Sequence, residues 1–442
     1  MNDPNSSAVM WWAPPIPSAA TATPEAQQAD GRLAFGATVA FTVILLLSPQ
    51  NWFPFLRPLR IAFLAAGIGI GSLLWDCWKQ RRPLGMTREM LLCFALPAWA
   101  FLTLPLSYWP GGSVATLTDL YIKAVLIFWL LPNVVTTPRR LRALAIVLML
   151  CTIPLAGTGV KNFVQGMFIT RTDVARIIGY DGGLAKNPND LALMLDLLIP
   201  LGVALFLAAT SSMARLLAAG VIAISAAGVV VTFSRAGFLG LAAIGLLYFV
   251  RMSRRHGSDR KWAFAMIVIA VLSLPLLPAS YVDRLASVKS VDADITGSSQ
   301  IRWRDNVAAF HYVMQHPIVG AGIGMDAIAL NTVRGAEWKN VHNVYFQYAV
   351  DLGLPGITLF LVLFHGVLRA AKTSRQRLAR SPHRDLFLLC EALEISLVAF
   401  GICALFYPVA YHFYFYYMAG LALAARVVTN NVLGPEVRWA SR

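Results

Sequence analysis

His342 and Asn343 stand where a polar stretch, residues 279–342, gives way to a long apolar run beginning at Val344. An imidazole exchanges its proton near neutral pH, so a His fixed at the end of an apolar helix can take or give a proton at one set depth. Upstream, Thr232-Phe233-Ser234-Arg235-Ala236-Gly237 puts a guanidinium at the junction of two apolar runs, and Arg302, followed by Arg304, heads a segment of helical periodicity. The planar, permanently charged guanidinium suits phosphate oxygens, and a helix start favours anions. Each residue also has an ordinary reading. Arg235 can snorkel to headgroups, Arg302 can sit on a solvated helix face, and His342 can be a hydrogen-bonded helix end.

The elements that must position these groups are apolar. Hydrophobic residues make up 57% of the 442-residue chain and charged residues 13%, and the mean hydropathy is +0.62. A soluble domain carries about 25% charge, so this chain is solvated by lipid. Runs long enough to cross a bilayer fall at 33–49, 59–77, 89–107, 117–133, 141–157, 188–209, 214–232, 236–251, 262–278, 343–368, 386–406 and 409–427. The sequence therefore predicts an all-α, polytopic membrane protein of about twelve helices. Its parts are a disordered cytoplasmic tail (1–32), nine spans (33–278), a polar loop with an amphipathic helix (279–342), three spans (343–427) and a short tail (428–442). The tail before Asp30 lacks the basic and apolar regions of a cleaved signal.

The net charge of +15 lies in short loops between apolar runs, which excludes a basic nucleic-acid domain. With the N-terminus inside, the inner loops collect Lys79, Arg81, Arg82 and Arg88, then Arg139, Arg140 and Arg142, then Arg251, Arg254, Arg255, Arg260 and Lys261, and finally Arg369 to Arg384. The outer loop Tyr108–Thr116 has no Lys or Arg, so the positive-inside rule sets both termini in the cytoplasm. Segments 158–187 and 279–342 then lie outside, which in a bacterial inner membrane is the periplasm. Basic residues nonetheless remain there: Lys161, Arg171, Arg176, Lys186, Arg235, Arg284, Lys289, Arg302, Arg304, Arg334 and Lys339. An anionic ligand at the outer face accounts for them.

Within the large outer loop, Val307, Phe310, Val313 and Met314 recur at helical spacing between Ile301 and His316, Pro317 ends the helix, and Gly320-Ala321-Gly322-Ile323-Gly324 turns the chain back. The five cysteines lie in or beside apolar runs without metal spacing and read as small core residues. Asp292-Ala293-Asp294 has the form of a metal-chelating D-x-D, but it carries no partner motif and reads as exposed loop. No metal site or cofactor is expected. Of the other histidines, His412, in the Tyr-rich last span, is a reserve candidate.

Over roughly residues 180–365 these pieces, in this order, resemble the O-antigen ligase and polymerase family of bacterial membrane glycosyltransferases. They are Asn187-Pro188-Asn189-Asp190-Leu191-Ala192, the Thr232–Gly237 segment, Arg302 with a helix ending His316-Pro317-Ile318-Val319-Gly320-Ala321-Gly322, and His342-Asn343-Val344-Tyr345 leading to Asp351-Leu352-Gly353-Leu354-Pro355-Gly356. The family often has Glu where Asp351 stands and Trp where Asn306 stands. The resemblance implies a metal-independent, inverting transfer of a glycan from a polyprenyl diphosphate carrier to an acceptor hydroxyl at the periplasmic face. By the same analogy His342 is the base, Arg235 and Arg302 hold the diphosphate, and Lys186, Arg304, Lys339 and Asn343 contact or steer substrate.

The acceptor is a lipid-A core sugar for a ligase or another lipid-linked glycan for a polymerase, and the motifs do not separate the two. The protein-glycosylating branch usually carries a further C-terminal region, where this chain has about fifteen residues after the last span. A transporter of a lipid-linked or anionic substrate is the rival of a different class, because Lys123 and Asp196 lie within predicted spans. Convergence of Arg235, Arg302 and His342 at the outer face favours the transferase, and a midplane cavity joining Lys123 and Asp196 favours the transporter.

Overall fold

The computed structural model describes residues 31–81, 83–169, 176–255, 257–273 and 298–435. The D-x-D segment, residues 1–30 of the expected N-terminal tail and residues 436–442 of the C-terminal one lie outside these residues.

A helix lies on each expected span: α1 (Arg32–Leu47), α2 (Ile61–Lys79), α3 (Arg88–Leu102), α4 (Pro110–Val134), α5 (Pro138–Val164), α6 (Pro188–Ala208), α7 (Ser212–Val231), α8 (Arg235–Ser253) and α9 (Ser258–Ser273), then α12 (Val344–Leu378), α13 (Arg384–Cys403) and α14 (Phe413–Leu433). Two shorter helices, α10 (Ser298–Gln315) and α11 (Asp326–Arg334), form the polar lobe between α9 and α12, and a two-residue hairpin pairs β1 (Phe168–Ile169) with β2 (Arg176–Ile177). The protein is thus all-α and polytopic. Among the described residues, eight of the helices (α2, α4, α5, α6, α7, α8, α12 and α13) are long and apolar enough to cross a membrane, against the twelve crossings expected. Helix α1 has 16 residues and α3 has 15, with Pro97 inside it, so both fall short on length. The expected loop Tyr108–Thr116 is helical from Pro110 onward, which lengthens α4, and a π-helical turn interrupts it at Leu117–Tyr121. Expected as a possible single interrupted element, 386–427 instead forms two helices, α13 and α14.

Helices α6 and α13 are 78% buried within the protein over their apolar windows, whereas α2 and α7 are 22% buried. The first two, with α14, therefore form the centre of the bundle and the others face lipid. All five cysteines are unpaired, and Cys93, Cys151, Cys390 and Cys403 are buried in apolar surroundings. At the end of the bundle opposite Arg235, acidic residues meet the basic loops expected on the inner side. Arg251 and Arg375 hold Glu394 at 2.8 and 2.6 Å, Arg255 holds Glu391 at 2.5 Å, Arg384 holds Asp259 at 2.6 Å, and Arg426 grips Glu89 with two bonds of 2.8 and 2.7 Å.

One break positions the polar lobe. Gly353 adopts φ 68° and ψ −171° inside α12, a conformation that favours glycine, with Pro355 two residues on. A broken helix frees carbonyls that hydrocarbon cannot satisfy, so protein must. Ala321 N donates to Val350 O (2.8 Å), Gly322 N to Asp351 O (2.9 Å), and Trp99 Nε1 to Leu352 O (2.9 Å). Leu354 N in turn donates to Pro317 O at 2.7 Å. The Asp351 carboxylate closes the joint, accepting from Gly324 N, Met325 N and Tyr411 Oη, each at 3.0 Å. The glycine-rich turn at 320–324 is therefore a clamp on the helix break.

The lobe has its own small core, with Ala308, Ala309, Tyr312 and Val313 of α10 and Ala329 and Leu330 of α11 packed on Ala349 and Val350 of α12. The apolar recurrence read from the sequence does not coincide with the packed face of α10. Val313 is buried, but Val307, Phe310 and Met314 are 39%, 54% and 66% exposed. The small Ala308 and Ala309 permit the close approach and turn the larger residues outward.

Candidate active site at the outer end of the bundle

Each predicted arginine is fixed by local chemistry. Phe233 takes a left-handed φ of 55°, which ends α7 and lets Ser234 cap α8 by accepting from Gly237 N at 3.2 Å. Arg235 is thereby the first residue of α8, at the positive end of that helix. At Gly237 a Cβ would stand 2.6 Å from Ala192 Cβ, so glycine lets α8 lie against α6. Asn187 caps α6 through Asn189 N at 2.9 Å, with Pro188 in the first turn.

A polar pocket forms where these ends meet. It is lined by Arg235, Ser234 and Ala236 of α8, Asn189 of α6, Arg302 of α10, Arg176 of β2, and Phe406 and Tyr407 of the turn after α13. Tyr407 Oη lies 3.2 Å from Ser234 Oγ. The pocket is tight at about 10 Å³, space for roughly one water, so a diphosphate requires the guanidiniums to part. Burial and the nearby Arg235 hold the Arg176 pKa below its ordinary value, which registers how closely the positive groups are drawn together.

His342 lies in the short segment joining α11 to α12, within electrostatic reach of Arg302 of this pocket. Buried Asp326, at the head of α11, fixes that segment by accepting from Val341 N and Asn340 Nδ2, each at 2.7 Å. Asn343 caps α12 by accepting from Tyr345 N (2.9 Å) and Phe346 N (3.2 Å), and Val344 N donates to Ala404 O (2.8 Å). The imidazole is partly buried, and its Nδ1 has no hydrogen-bond partner among the described residues. Burial, followed by the charge of Arg302, pushes the His342 pKa down to about 4, with Asp305 opposing. The ring is therefore neutral at pH 7 and able to accept a proton.

The structure thus gathers Arg235 and Arg302 into one pocket and sets His342 within electrostatic reach of Arg302. The remaining predicted contacts lie elsewhere. Arg304 pairs with Glu337 at 2.5 Å on the exposed side of α10, and Lys186 is exposed 3.9 Å from Asp181, whereas Lys339, exposed and with its carbonyl accepting from Arg334, is within electrostatic reach of His342, where its charge also lowers the pKa. The Asn343 side-chain oxygen is occupied by the helix cap. Sequence reasoning did not single out Arg176, Asn189 or Tyr407. Their signals were present: Arg176 is a basic residue kept on the outer side, Asn189 follows a helix-starting Pro188, and Tyr407 opens the tyrosine-rich stretch. His412 precedes α14, with its ring 6.1 Å from that of Tyr414. The two ionisable groups that kept the transporter reading open are apart. Lys123 Nζ lies over the Phe63 ring of α2 at 4.7 Å, while Asp196 is fully buried against Gly240 of α8. Among the described residues no group of three or more His, Cys, Asp or Glu is placed to hold a metal ion.

Residues 218–361 match the family model described as O-antigen ligase, an interval that contains Arg235, Arg302, His342 and the Asp351 joint and omits Arg176, Asn189 and Tyr407. Comparison with curated proteins gave no match. The family match brings with it a glycan-transfer role in surface-polysaccharide biosynthesis, and the apolar helices make the protein multi-pass. Over residues 218–361, about a third of the chain, the protein is thus similar to the O-antigen ligase family.

Proposed function

We propose that this protein transfers a glycan from a polyprenyl diphosphate carrier to a hydroxyl of a lipid-anchored acceptor, at the periplasmic face of the bacterial inner membrane with both termini cytoplasmic. The observation that carries the reading is the meeting of Arg176, Arg235 and Arg302, from three separate elements, in one pocket with His342 beside Arg302. A diphosphate presents oxygens that guanidinium forks match. The same forks stabilise the charge that grows on the leaving oxygen as the glycosidic bond breaks.

In this reading neutral His342 accepts the acceptor's hydroxyl proton as that oxygen bonds the anomeric carbon from the face opposite the diphosphate, so the centre inverts. The C–O bond to phosphate breaks, and its electron pair leaves with the polyprenyl diphosphate. No metal is required, because the arginines supply the positive charge.

The test is transfer by the purified chain in lipid vesicles, with a polyprenyl-diphosphate oligosaccharide and either a core-lipid acceptor or none. Product on the core lipid, abolished in His342→Ala and Arg235→Ala and insensitive to EDTA, supports a ligase with this site. A ladder of longer lipid-linked chains without added acceptor supports the same site working as a polymerase. Wild-type turnover in both variants would remove the site from consideration.

A further inference from the structure

The outward residues of α10 form a single apolar stripe. Trp303, Val307, Phe310 and Met314 follow one another at spacings of four, three and four, and Ile318 continues the line past the helix end. Trp303, Met314 and Ile318 are 68%, 66% and 65% exposed. Such a face is costly in water and needs an apolar neighbour. Its C-terminal end is not free to choose one. Pro317 O is hydrogen-bonded to Leu354 N, ten residues inside a helix long and apolar enough to cross a membrane, so the end of the stripe is tied to an apolar segment.

There the stripe runs into an open groove between α3 and α12, lined by Trp99, Pro317, Ile318, Leu354, Pro355 and Leu359 among others, with a volume of about 550 Å³. That lies within the range of roughly 300–1,000 Å³ of ligand sites. No charged side chain lines it, in contrast to the arginine pocket. Trp99 is held in place by its bond to Leu352 O. The two places sit at opposite ends of one element, since α10 rises about 20 Å between Arg302 in the pocket and Gln315 beside the groove.

We propose that this stripe and groove dock the hydrocarbon anchor of the acceptor, which presents the acceptor's glycan toward His342 from the side away from the arginine pocket. The proposal rests on the transfer reading above. It assigns the two lipid-anchored substrates to different chemistry. The donor is recognised by its diphosphate at one end of α10, and the acceptor by its hydrocarbon at the other. Docking adds no covalent step.

The test uses the full chain in phosphatidylglycerol vesicles with a photoactivatable benzoylphenylalanine in place of Ile318, and separately of Leu354. Each is irradiated with a core-lipid acceptor, with a polyprenyl-diphosphate glycan, or with the vesicle lipid alone, and adducts are identified by mass spectrometry. The expected result is an acceptor adduct several-fold above the other two at both positions. Adducts dominated by the donor, or by bulk phospholipid when acceptor is present, would overturn the assignment. Kinetically, Ile318→Asp is expected to raise KM for the lipid-anchored acceptor roughly tenfold or more. It should leave KM for the donor, and turnover with a delipidated acceptor glycan, unchanged. An equal loss with both acceptors would also overturn it. Wild-type transfer reports on the function itself, so loss of the groove assignment and loss of the transferase reading give different results.

Discussion

Asp326 Oδ2 accepts the Val341 amide at 2.7 Å, one residue before His342. A buried carboxylate thus holds the backbone of the proposed base, while its other oxygen takes Asn340 Nδ2 at 2.7 Å. Burial pushes the Asp326 pKa up, and these two hydrogen bonds pull it back toward the charged form. Asp326→Asn leaves one donor facing an amide NH₂. An unsatisfied buried donor costs about 1–3 kcal/mol. Spread into the placement of His342, this lowers kcat roughly tenfold to hundredfold. The KM for donor should not move, because the arginine pocket is untouched. A KM change without a kcat change would show that Asp326 does not position the base.

Arg176 is the residue of the pocket that lies outside the family match. If it grips the diphosphate, Arg176→Ala weakens donor binding by about 1.5–3 kcal/mol, the worth of a charged hydrogen bond. Arg176→Lys recovers part of the loss, since it keeps the charge but not the fork. Titration of the purified variants with polyprenyl diphosphate measures this directly, and wild-type affinity in Arg176→Ala would set the residue aside.

The pH dependence follows from His342. With its pKa at about 4 in the free protein, the base is lost only as pH falls through that value, so the acid limb of kcat/KM lies near 4. A bound diphosphate offsets the Arg302 charge that helps to hold the pKa down, so the acid limb of kcat lies higher. The sign for stability is the opposite of a salt-bridged His. The unfolded chain binds a proton below about 6.5, but the folded one does not until about 4. Stability therefore falls as pH drops from 6.5 to 4 and levels off below. Coincident acid limbs for kcat and kcat/KM would contradict the coupling between substrate charge and base.

Gly353 and Asp351 set the joint. A Cβ on Gly353 would stand 2.3 Å from Ile318 O, and its φ of 68° is strained for any side chain. Gly353→Ala is expected to destabilise by about 1–3 kcal/mol or more, read as a lower melting temperature in detergent. Asp351→Glu, despite the Glu frequent in the family, adds a methylene to a site whose three donors already enclose the carboxylate. It should cost about 1–3 kcal/mol. Wild-type melting of both variants would show that the clamp contributes little.

At the opposite end, Glu394 is shared by Arg251 and Arg375. Glu394→Gln leaves partly buried Arg375 without its anion and Arg251 with only Glu391 at 3.7 Å, a loss of up to about 3–5 kcal/mol for a buried pair. The melting temperature should fall while donor affinity stays as in the wild type. A loss of donor affinity in the folded variant would instead connect the two ends of the bundle.

The positions of the helices were legible because lipid imposes long apolar runs; Arg235 and His342 were singled out because each marks where such a run meets a polar segment, and Arg302 because it heads a periodic segment of the polar loop. The helical spacing of Val307, Phe310, Val313 and Met314 did not say which face packs: Phe310 and Met314 are exposed, while Ala308 and Ala309 do the packing. Arg176 stayed hidden because a hairpin return, not a periodic element, carries it to the pocket. Asp351 and the glycines of 320–324 lie in motifs quoted for chemistry and turn out to tie backbone to backbone. Eight helices among the described residues are long and apolar enough to span, against twelve expected, in part because α1 and α3 are only 16 and 15 residues long.

The break at Gly353 also separates what the membrane can act on from what it cannot. Below it, α12 runs on to Leu378, with Lys372, Arg375 and Arg377 in its last turns, and takes its depth from lipid. Above it, Val344–Leu352 is pinned sideways by Ala404, Trp99 and the turn at 320–324. A thinner or thicker bilayer tilts or shifts hydrophobic helices, and here that adjustment falls on the lower segment, pivoting at Gly353. The segment carrying His342 keeps its register with the arginines across membranes of differing thickness.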